Sequence, residues 1–593
     1  MNRMAHAPSS DKVADGYDPI DLEVIRHRII AVPNLIEKNI ERTAFSLLVQ
    51  EYKDYAVGYT DSAGRLVTQS RYSLPSFVAN AIGLAVREGL RVFGPDDLHT
   101  GDVVIVNGYV LGKHLNDIVA YTPIRVDGDL VGFFAVLVHW IDIGGGVVGS
   151  CFSPTATDTW QEGVLYPTIR IISKGQRNSD LFRLIAANSR FPSLLLGDLE
   201  AQLGGCQMGH DLVQEIIAEH GLPAFKATVD QMFSDAAADA ERAIRALPEG
   251  EYTASSFLDN DGVELDKKMQ VDVKVIVRDG RLIFDLSGLS KQVIGPVNQS
   301  RDGGALAAAR LAYKYLLAPL SPVNEGDFDR VDLIIPDGKF LSASPSAASG
   351  QGGYTGNTVV ETLLTALAPA MPDRVPASHH GIYGIHTITG RNPETGETWF
   401  CLDAMSGGWG GWRNADGPGP LRSMVHGDVR DVPVEIQEAL YPYRIEVKQL
   451  RQDSAGAGRH RGGLGIEKTY SFPVDIPLTL NVNVERTQCP PWGLEGGGAG
   501  EVAEVIVIHP DGSRDNLKKD DRPIRSGDIV QVNSGGGGGF GLAIERDPAA
   551  VREDVRLGYI SREAARRLYG VVLNISGDID IEATRRTRAE LQA

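Results

Sequence analysis

The sequence predicts a mixed α/β (α+β) chain that is divided into several domains. With 593 residues, the chain is too long for one ordinary hydrophobic core. Segments in which apolar residues recur at helical spacing are interspersed with short alternating or continuously apolar segments, which are typical of strands. Strand patterns begin at Gly250 and dominate from Tyr443 to Gly541, which predicts a β-rich C-terminal part.

The first elements alternate between helix and hairpin. Apolar spacing from Pro19 to Glu51 predicts a helix, with Pro33 as a kink or break. The stretch from Asp54 to Gln69 alternates around a turn and predicts a hairpin that Asp54 opens. A second helix is predicted from Pro75 to Phe93.

The stretch that follows holds two His-x-x-Asp-Ile units, His114–Ile118 and His139–Ile143. The apolar run Leu130–Val138 predicts a buried strand, so His139 should lie at a strand end, just before a turn of three glycines. Imidazole and carboxylate groups together suit a borderline divalent ion such as zinc, manganese or iron, which activates water when one position stays open. The hypothesis is a metal site, and the alternative is a histidine satisfied within the core.

The later segments contain three glycine-rich stretches. Pro345–Ala370 runs into a predicted helix and either presents backbone N–H groups to an anion or serves tight turns and close packing. Ser406–Pro420 is expected to line a surface or an interface, and Ser534–Gly541 is interpreted as a flexible turn. Strands are predicted at Met269–Val277 and Arg281–Leu286, among others.

Composition excludes several classes of protein. Apolar residues make up 42% of the chain, as in globular proteins, and the formal charge of −19 argues against nucleic acid or an anionic membrane as partner. The four cysteines form no Cys-x-x-Cys pair, so neither a disulfide framework nor a zinc ribbon is indicated. No signal peptide or membrane-spanning run is present, and a cytoplasmic location is expected.

Ordered motifs along nearly the whole chain resemble the hydantoinase B/oxoprolinase family. They comprise the two histidine units together with Gln161-Glu162-Gly163, Asn188-Ser189-Arg190, Gly197-Asp198, the glycine-rich run Asp453–Gly465, Gly535–Gly541 and Tyr569-Gly570. The family includes B subunits of ATP-dependent hydantoinases, oxoprolinases and lactamases, and related subunits of acetone and acetophenone carboxylases.

This resemblance implies a site and a partner. It implies a divalent metal, zinc or manganese, held by Asp54, His114, Asp117 and His139. Asp142 is expected to orient a ligand histidine, and is the catalytic candidate. The partner would be an actin-like, hydantoinase A-type subunit that binds ATP, in a hetero-oligomer of the (AB)2 kind.

The expected domains follow from these features. They are a disordered tail at 1–17, a metal-binding catalytic region at 18–247, an α/β insert at 248–345, a glycine-rich central region at 346–440, a β-rich domain at 441–545 and a C-terminal helical tail at 546–593.

The expected activity is ATP-dependent hydrolysis of a cyclic amide of the hydantoin, lactam or oxoproline type. Phosphorylation of the carbonyl oxygen on the partner would make the carbon electrophilic, and water activated at the metal would attack it. One alternative is a ketone carboxylase in which the metal stabilises an enolate. Another is a non-catalytic scaffold that docks the ATPase.

Overall fold

The computed structural model describes residues 16–75, 81–112, 114–381, 385–392, 394–427, 429–473 and 476–592. Most of the predicted tail lies outside these residues, as do residues 76–80 of the helix predicted from Pro75. Helices pack on four sheets, which confirms the predicted mixed fold class. Among the described residues, no helix is long and apolar enough to cross a membrane.

The N-terminal sheet is antiparallel and has seven strands in the order β2-β1-β5-β4-β3-β6-β7. The β4–β5 connection is the two-residue turn Asp127-Gly128, and both residues have positive φ, as a tight hairpin of right-handed twist requires. The strands are β1 (Tyr55–Asp61), β2 (Leu66–Gln69), β3 (Val103–Val106), β4 (Asp117–Val126), β5 (Asp129–His139), β6 (Ile169–Ser173) and β7 (Gln176–Arg177).

Six helices accompany this sheet, and the first differs from its predicted extent. The chain stays helical through Pro33 and leaves the helix after Thr43, because the buried Asp198 carboxylate accepts the N–H groups of Phe45 and Ser46. The helices are α1 (Pro19–Thr43), α2 (Leu47–Gln50), α3 (Ala81–Phe93), α4 (Ser179–Ala187), α5 (Pro192–His220) and α6 (Leu222–Arg245).

A second sheet of four strands follows in the order β11-β10-β9-β8, with two helices, and both strand predictions in this region are confirmed. Its elements are β8 (Gly250–Leu258), β9 (Met269–Arg278), β10 (Arg281–Asp285), β11 (Val331–Ile334), α7 (Leu306–Leu317) and α8 (Gly352–Ala366). One cluster of buried apolar residues runs from Ile25 to Val432 and so joins both sheets. The predicted boundary at 247 therefore crosses a continuous core, and the domain limits stay a prediction.

The C-terminal part contains two more sheets, in the orders β13-β12-β16-β19 and β14-β15-β20-β17-β18, around a separate apolar core. Residues between Val551 and Val571 form a third cluster together with Ala457. The elements are β12 (Ile385–Arg391), β13 (Thr398–Asp403), α9 (Val434–Leu440), β14 (Arg444–Leu450), β15 (Ile466–Ser471), β16 (Leu478–Asn483), β17 (Glu504–Ile508), β18 (Arg514–Leu517), β19 (Asp520–Ile524), β20 (Ile529–Asn533), α10 (Pro548–Arg556), α11 (Arg562–Tyr569) and α12 (Ile581–Gln592).

The glycine-rich segments of this part pack backbone against backbone. The N–H of Gly537 donates to the carbonyl of Gly463 at 3.0 Å, and a Cβ at Gly537 would lie 1.9 Å from the carbonyl oxygen of Trp409. Residues 406–408 and 532–541 are buried. The flexible-turn interpretation of Ser534–Gly541 is therefore wrong. Ser406–Pro420 was expected to line a surface or an interface; residues 413–415, 418 and 419 of this stretch are exposed, whereas its first three residues are buried within the chain.

Candidate metal centre

Three predicted ligands lie side by side at one end of the N-terminal sheet. Strand β4 begins at Asp117, strand β5 ends at His139, and the two residues are direct register partners. The N–H of His139 donates to the carbonyl of Asp54 at 3.1 Å, immediately before strand β1. Because β5 lies between β1 and β4, the register alone brings Asp54, His139 and Asp117 together, as paired positions of adjacent strands do.

His114 and Cys151 complete the cluster. The ring centroids of His114 and His139 are 4.9 Å apart, and His114 Nε2 lies 3.3 Å from Asp117 Oδ1. One ligand atom from each of His114, His139 and Cys151 lies within 4.8 Å of the others. The structure thus adds Cys151, whose Sγ is 3.8 Å from His139 Nε2, to the residues that the sequence predicted.

The pKa values in this cluster have clear physical causes. Burial, followed by the nearby His114 ring, lowers the pKa of His139 to about 3, so this imidazole is neutral at pH 7. Burial raises the pKa of the Cys151 thiol well above its usual range, and the carboxylates of Asp117, Glu162 and Asp54 raise it further. A neutral imidazole and a thiol among carboxylates form a group of electron-pair donors that a bound cation would stabilise.

The donor set fits a divalent metal. His139 Nδ1 is buried and makes no hydrogen bond within the described part of the chain. Two imidazoles, one sulfur and carboxylate oxygens are ligands of zinc, and the imidazoles and carboxylates also suit manganese. These residues therefore fit the divalent metal that the sequence predicts at this site.

Glu162 is a further buried acid that the sequence singled out only as part of a motif. Its carboxylate accepts the N–H of Ser349 at 2.9 and 3.0 Å and that of Gly350 at 2.6 Å, just before α8. Burial raises its pKa to about 7 although these amides and His114 act in the opposite direction. The backbone N–H groups of this glycine-rich loop thus donate to a side chain of the same protein.

Asp142 makes its contacts away from the histidines. Its buried carboxylate pairs with Arg190 Nη1 at 2.7 Å and accepts the N–H groups of Arg190 and Gly149 at 2.8 and 3.0 Å. These bonds hold the loop that leads from His139 to Cys151. Direct orientation of a ligand histidine by Asp142 stays a prediction.

The fold and the cluster define the class of this protein: a multidomain α/β chain with a candidate metal centre at the end of a sheet. The model of the hydantoinase B/oxoprolinase family matches residues 18–543. The chain belongs to the hydantoinase B/oxoprolinase family.

Relatives and solved structures agree with this assignment. The chain is 29% identical, over 96% of its length and 98% of the relative's, to a protein of Pseudomonas sp. strain NS671 provisionally described as the B component of a D-/L-hydantoinase. It is similar to the crystal structure of the ATP-dependent caprolactamase from Pseudomonas jessenii, with a TM-score of 0.89, 26% identity, and coverage of 97% of this chain and 100% of that one. The nucleotide-free structure of acetone carboxylase shares the fold, with a TM-score of 0.89, 20% identity, and coverage of 97% and 83%.

Proposed function

We propose that this chain is the metal-dependent subunit of an ATP-dependent hydrolase of cyclic amides, of the hydantoin, lactam or oxoproline type. The observation that carries the proposal is the convergence of His114, His139 and Cys151 beside Asp54 and Asp117 at one end of the sheet. The family comprises ATP-dependent hydrolases and carboxylases, and relatives are named as single components of a hydantoinase and of a caprolactamase. The partner in this proposal is an actin-like ATPase subunit, in a cytoplasmic hetero-oligomer.

The five side chains of the cluster would hold zinc or manganese. When bound, the cation supplies polarisation of a carbonyl group or activation of a water. His139 is suited to ligation because its low pKa leaves a lone pair free at neutral pH. Asp142 fixes the loop between His139 and Cys151 through Arg190 and the amide of Gly149, so in this proposal it positions ligands indirectly.

Glu162 is placed to hold a proton during the reaction. Its pKa of about 7 lets the carboxyl group gain or lose a proton near neutral pH, as a general acid or base requires. Oε1 accepts the amide N–H groups of Ser349 and Gly350, and Oε2 accepts that of Ser349, so the loop before α8 holds the carboxyl group in place. Glu162 also lies close enough to His114 for that ring to lower its pKa, and close enough to Cys151 to raise the pKa of the thiol.

The test is turnover by the complex with its ATPase partner. ATP-dependent ring opening of a lactam or hydantoin without bicarbonate, lost in His139→Ala, supports the proposal. Bicarbonate-dependent consumption of a ketone would overturn it in favour of the carboxylase alternative. Turnover that neither metal removal nor His139→Ala changes would overturn it in favour of the scaffold.

A further inference from the structure

One carboxylate of helix α1 contacts both residues that flank Asp54 in the sequence. The Lys53 ammonium and the Tyr55 hydroxyl donate to Glu41 Oε1 at 2.8 and 2.6 Å. The side chains of Glu41 and Lys53 are only 15% and 16% exposed. Hydrogen bonds to a charged acceptor are stronger than those between neutral groups, and these two are largely shielded from water. Glu41 therefore ties the chain to α1 on both sides of Asp54.

The chain turns sharply at Asp54. The N–H of Tyr55 donates to the carbonyl of Lys53 at 3.0 Å, which closes a three-residue turn with Asp54 at its tip. Lys53 has a φ of +61°, a left-handed conformation that a residue with a side chain rarely adopts. Such a conformation persists only where the surrounding structure holds it, and the bond from the Lys53 ammonium to Glu41 is part of that hold.

The carboxylate at the tip of this turn acts on the candidate metal centre. After burial and the carboxylates of Asp117 and Glu162, the charge of Asp54 contributes to the raised pKa of the Cys151 thiol. The carbonyl of Asp54 accepts the N–H of His139 at 3.1 Å. A shift of this turn would therefore move both a carboxylate at the cluster and the strand end that carries His139.

The segment before Cys151 is built in the same way. Ser150 also has a positive φ, of +65°, is fully buried, and accepts the N–H of Ile143 on its Oγ at 2.8 Å. Two candidate donors, Asp54 and Cys151, thus each follow a residue of strained backbone whose side chain is held by a hydrogen bond. Strain of this kind is concentrated at functional sites, where the neighbouring residues fix it.

Glu41 carries its charge over a wide range of pH. Burial acts to raise its pKa, but the hydrogen bonds from Lys53, Tyr55 and Lys38 outweigh burial and lower the pKa to about 2. The acceptor for both flanking residues is therefore present wherever a carboxylate ligand of ordinary pKa is itself ionised.

We propose that Glu41 is a positioning residue of the candidate metal centre. It holds Lys53 and Tyr55 against α1 and thereby fixes the turn from which the Asp54 carboxylate reaches the cation. The inference deepens the proposed function and rests on it, because it takes Asp54 as a ligand.

The test is the affinity of the full chain for zinc and for manganese, measured by competition with a chromophoric chelator. Glu41→Met removes the acceptor at similar side-chain length and should weaken metal binding about tenfold or more, as the loss of an outer partner of a ligand does. Tyr55→Phe removes one hydrogen bond and should weaken metal binding about fivefold. In an Asp54→Ala background neither change should weaken it further, because the ligand that Glu41 positions is already lost.

Glu325→Met is the matched control. The Glu325 carboxylate is 19% exposed and pairs with Arg310 of α7 at 2.6 Å, so this change also removes a partly buried ion pair. It should leave metal affinity within about twofold of the wild type, even where the melting temperature of the metal-free protein falls as much as in Glu41→Met.

Three results would overturn the inference and leave the proposed function standing. They are a metal affinity of Glu41→Met equal to that of the wild type, an equal loss in Glu325→Met, or a further loss when Glu41→Met is added to Asp54→Ala. A wild-type chain that binds neither zinc nor manganese would overturn the proposed function and this inference together. If Glu41→Met does not fold, Tyr55→Phe and its combination with Asp54→Ala decide.

Discussion

The Glu162 carboxylate accepts the backbone N–H of Gly350 at 2.6 Å, although the two residues are 188 positions apart. This bond joins the loop beside the candidate metal centre to the glycine-rich loop that starts α8. The approach is so close that a Cβ at Gly350 would lie 2.4 Å from the carbonyl oxygen of Cys151 and 2.9 Å from Glu162 Oε1.

Gly350→Ala should therefore destabilise the protein by about 1–3 kcal/mol, because backbone has to move to admit the methyl group. The matched control is Gly353→Ala, where a Cβ would meet nothing within 4 Å and where alanine favours the helix by up to about 1 kcal/mol. Thermal unfolding of the two variants measures the difference. Equal shifts in the two variants would contradict the close contact.

Glu162 should give the metal-depleted protein a specific pH dependence. Its pKa is about 7 in the folded chain, whereas the ordinary value is 4.5. Between pH 4.5 and 7 the folded chain therefore holds the proton more tightly than the unfolded chain does. Stability should fall as pH rises through this window, by about 3 kcal/mol in total.

Glu162→Gln, which stays neutral at every pH, should lack this component. The melting temperature of Glu162→Gln should equal that of the wild type near pH 4.5 and exceed it at pH 8. Parallel melting-temperature profiles of the two chelator-treated proteins between pH 4.5 and 8 would show that Glu162 does not titrate in this range.

Asp142 and Arg190 should behave as one unit. Asp142→Asn and Arg190→Met each break this ion pair, in which the carboxylate is fully buried and the arginine is partly exposed. Each should cost about 1–3 kcal/mol of unfolding free energy, the cost of a buried polar group that loses its partner. The double variant should cost clearly less than the sum, because the second change has no ion pair left to break. Additive losses in a double-mutant cycle would mean that the two side chains stabilise the loop independently.

Cys151→Ser should reduce the affinity for zinc more than that for manganese, because a thiolate is a soft ligand and a hydroxyl is not. The loss for zinc should be at least roughly tenfold, since even outer partners of metal ligands contribute that much. Cys206→Ser is the control, because Cys206 is buried in the same region but donates to the carbonyl of Ala120. Competition against a chromophoric chelator measures both affinities, and a zinc affinity as high as in Cys206→Ser would exclude Cys151 from the ligands.

The strand-end candidates came from two sources: the His-x-x-Asp-Ile units and the start of the hairpin indicated a site, and the family resemblance implied the set of four ligands. Strand β4 was not among the predicted strands, so the register that places Asp54, Asp117 and His139 together became visible only in the structure. Cys151 was missed because cysteine spacing indicates only disulfides and zinc ribbons, although this residue follows His139 by only 12 positions. The bond from Glu162 to Gly350 depends on how two distant loops meet, which no local pattern encodes.

The interleaved glycine segments were unpredictable for a different reason. Periodicity reports where side chains lie, and glycine has none, so a run such as Ser534–Gly541 carries the same local signal whether it is exposed or buried. In the structure the absence of Cβ is what permits Gly537 to approach the carbonyl of Trp409. The fold class was predictable from composition and periodicity, whereas this contact between segments was not.

Metal content of the purified protein tests the central claim most directly. Elemental analysis should find near-stoichiometric zinc or manganese in the wild type and in His27→Ala, a control at an exposed histidine. His114→Ala and His139→Ala should contain little metal although their circular dichroism spectra are unchanged. A wild-type protein without metal after supplementation, or histidine variants that keep it, would contradict the account of this site.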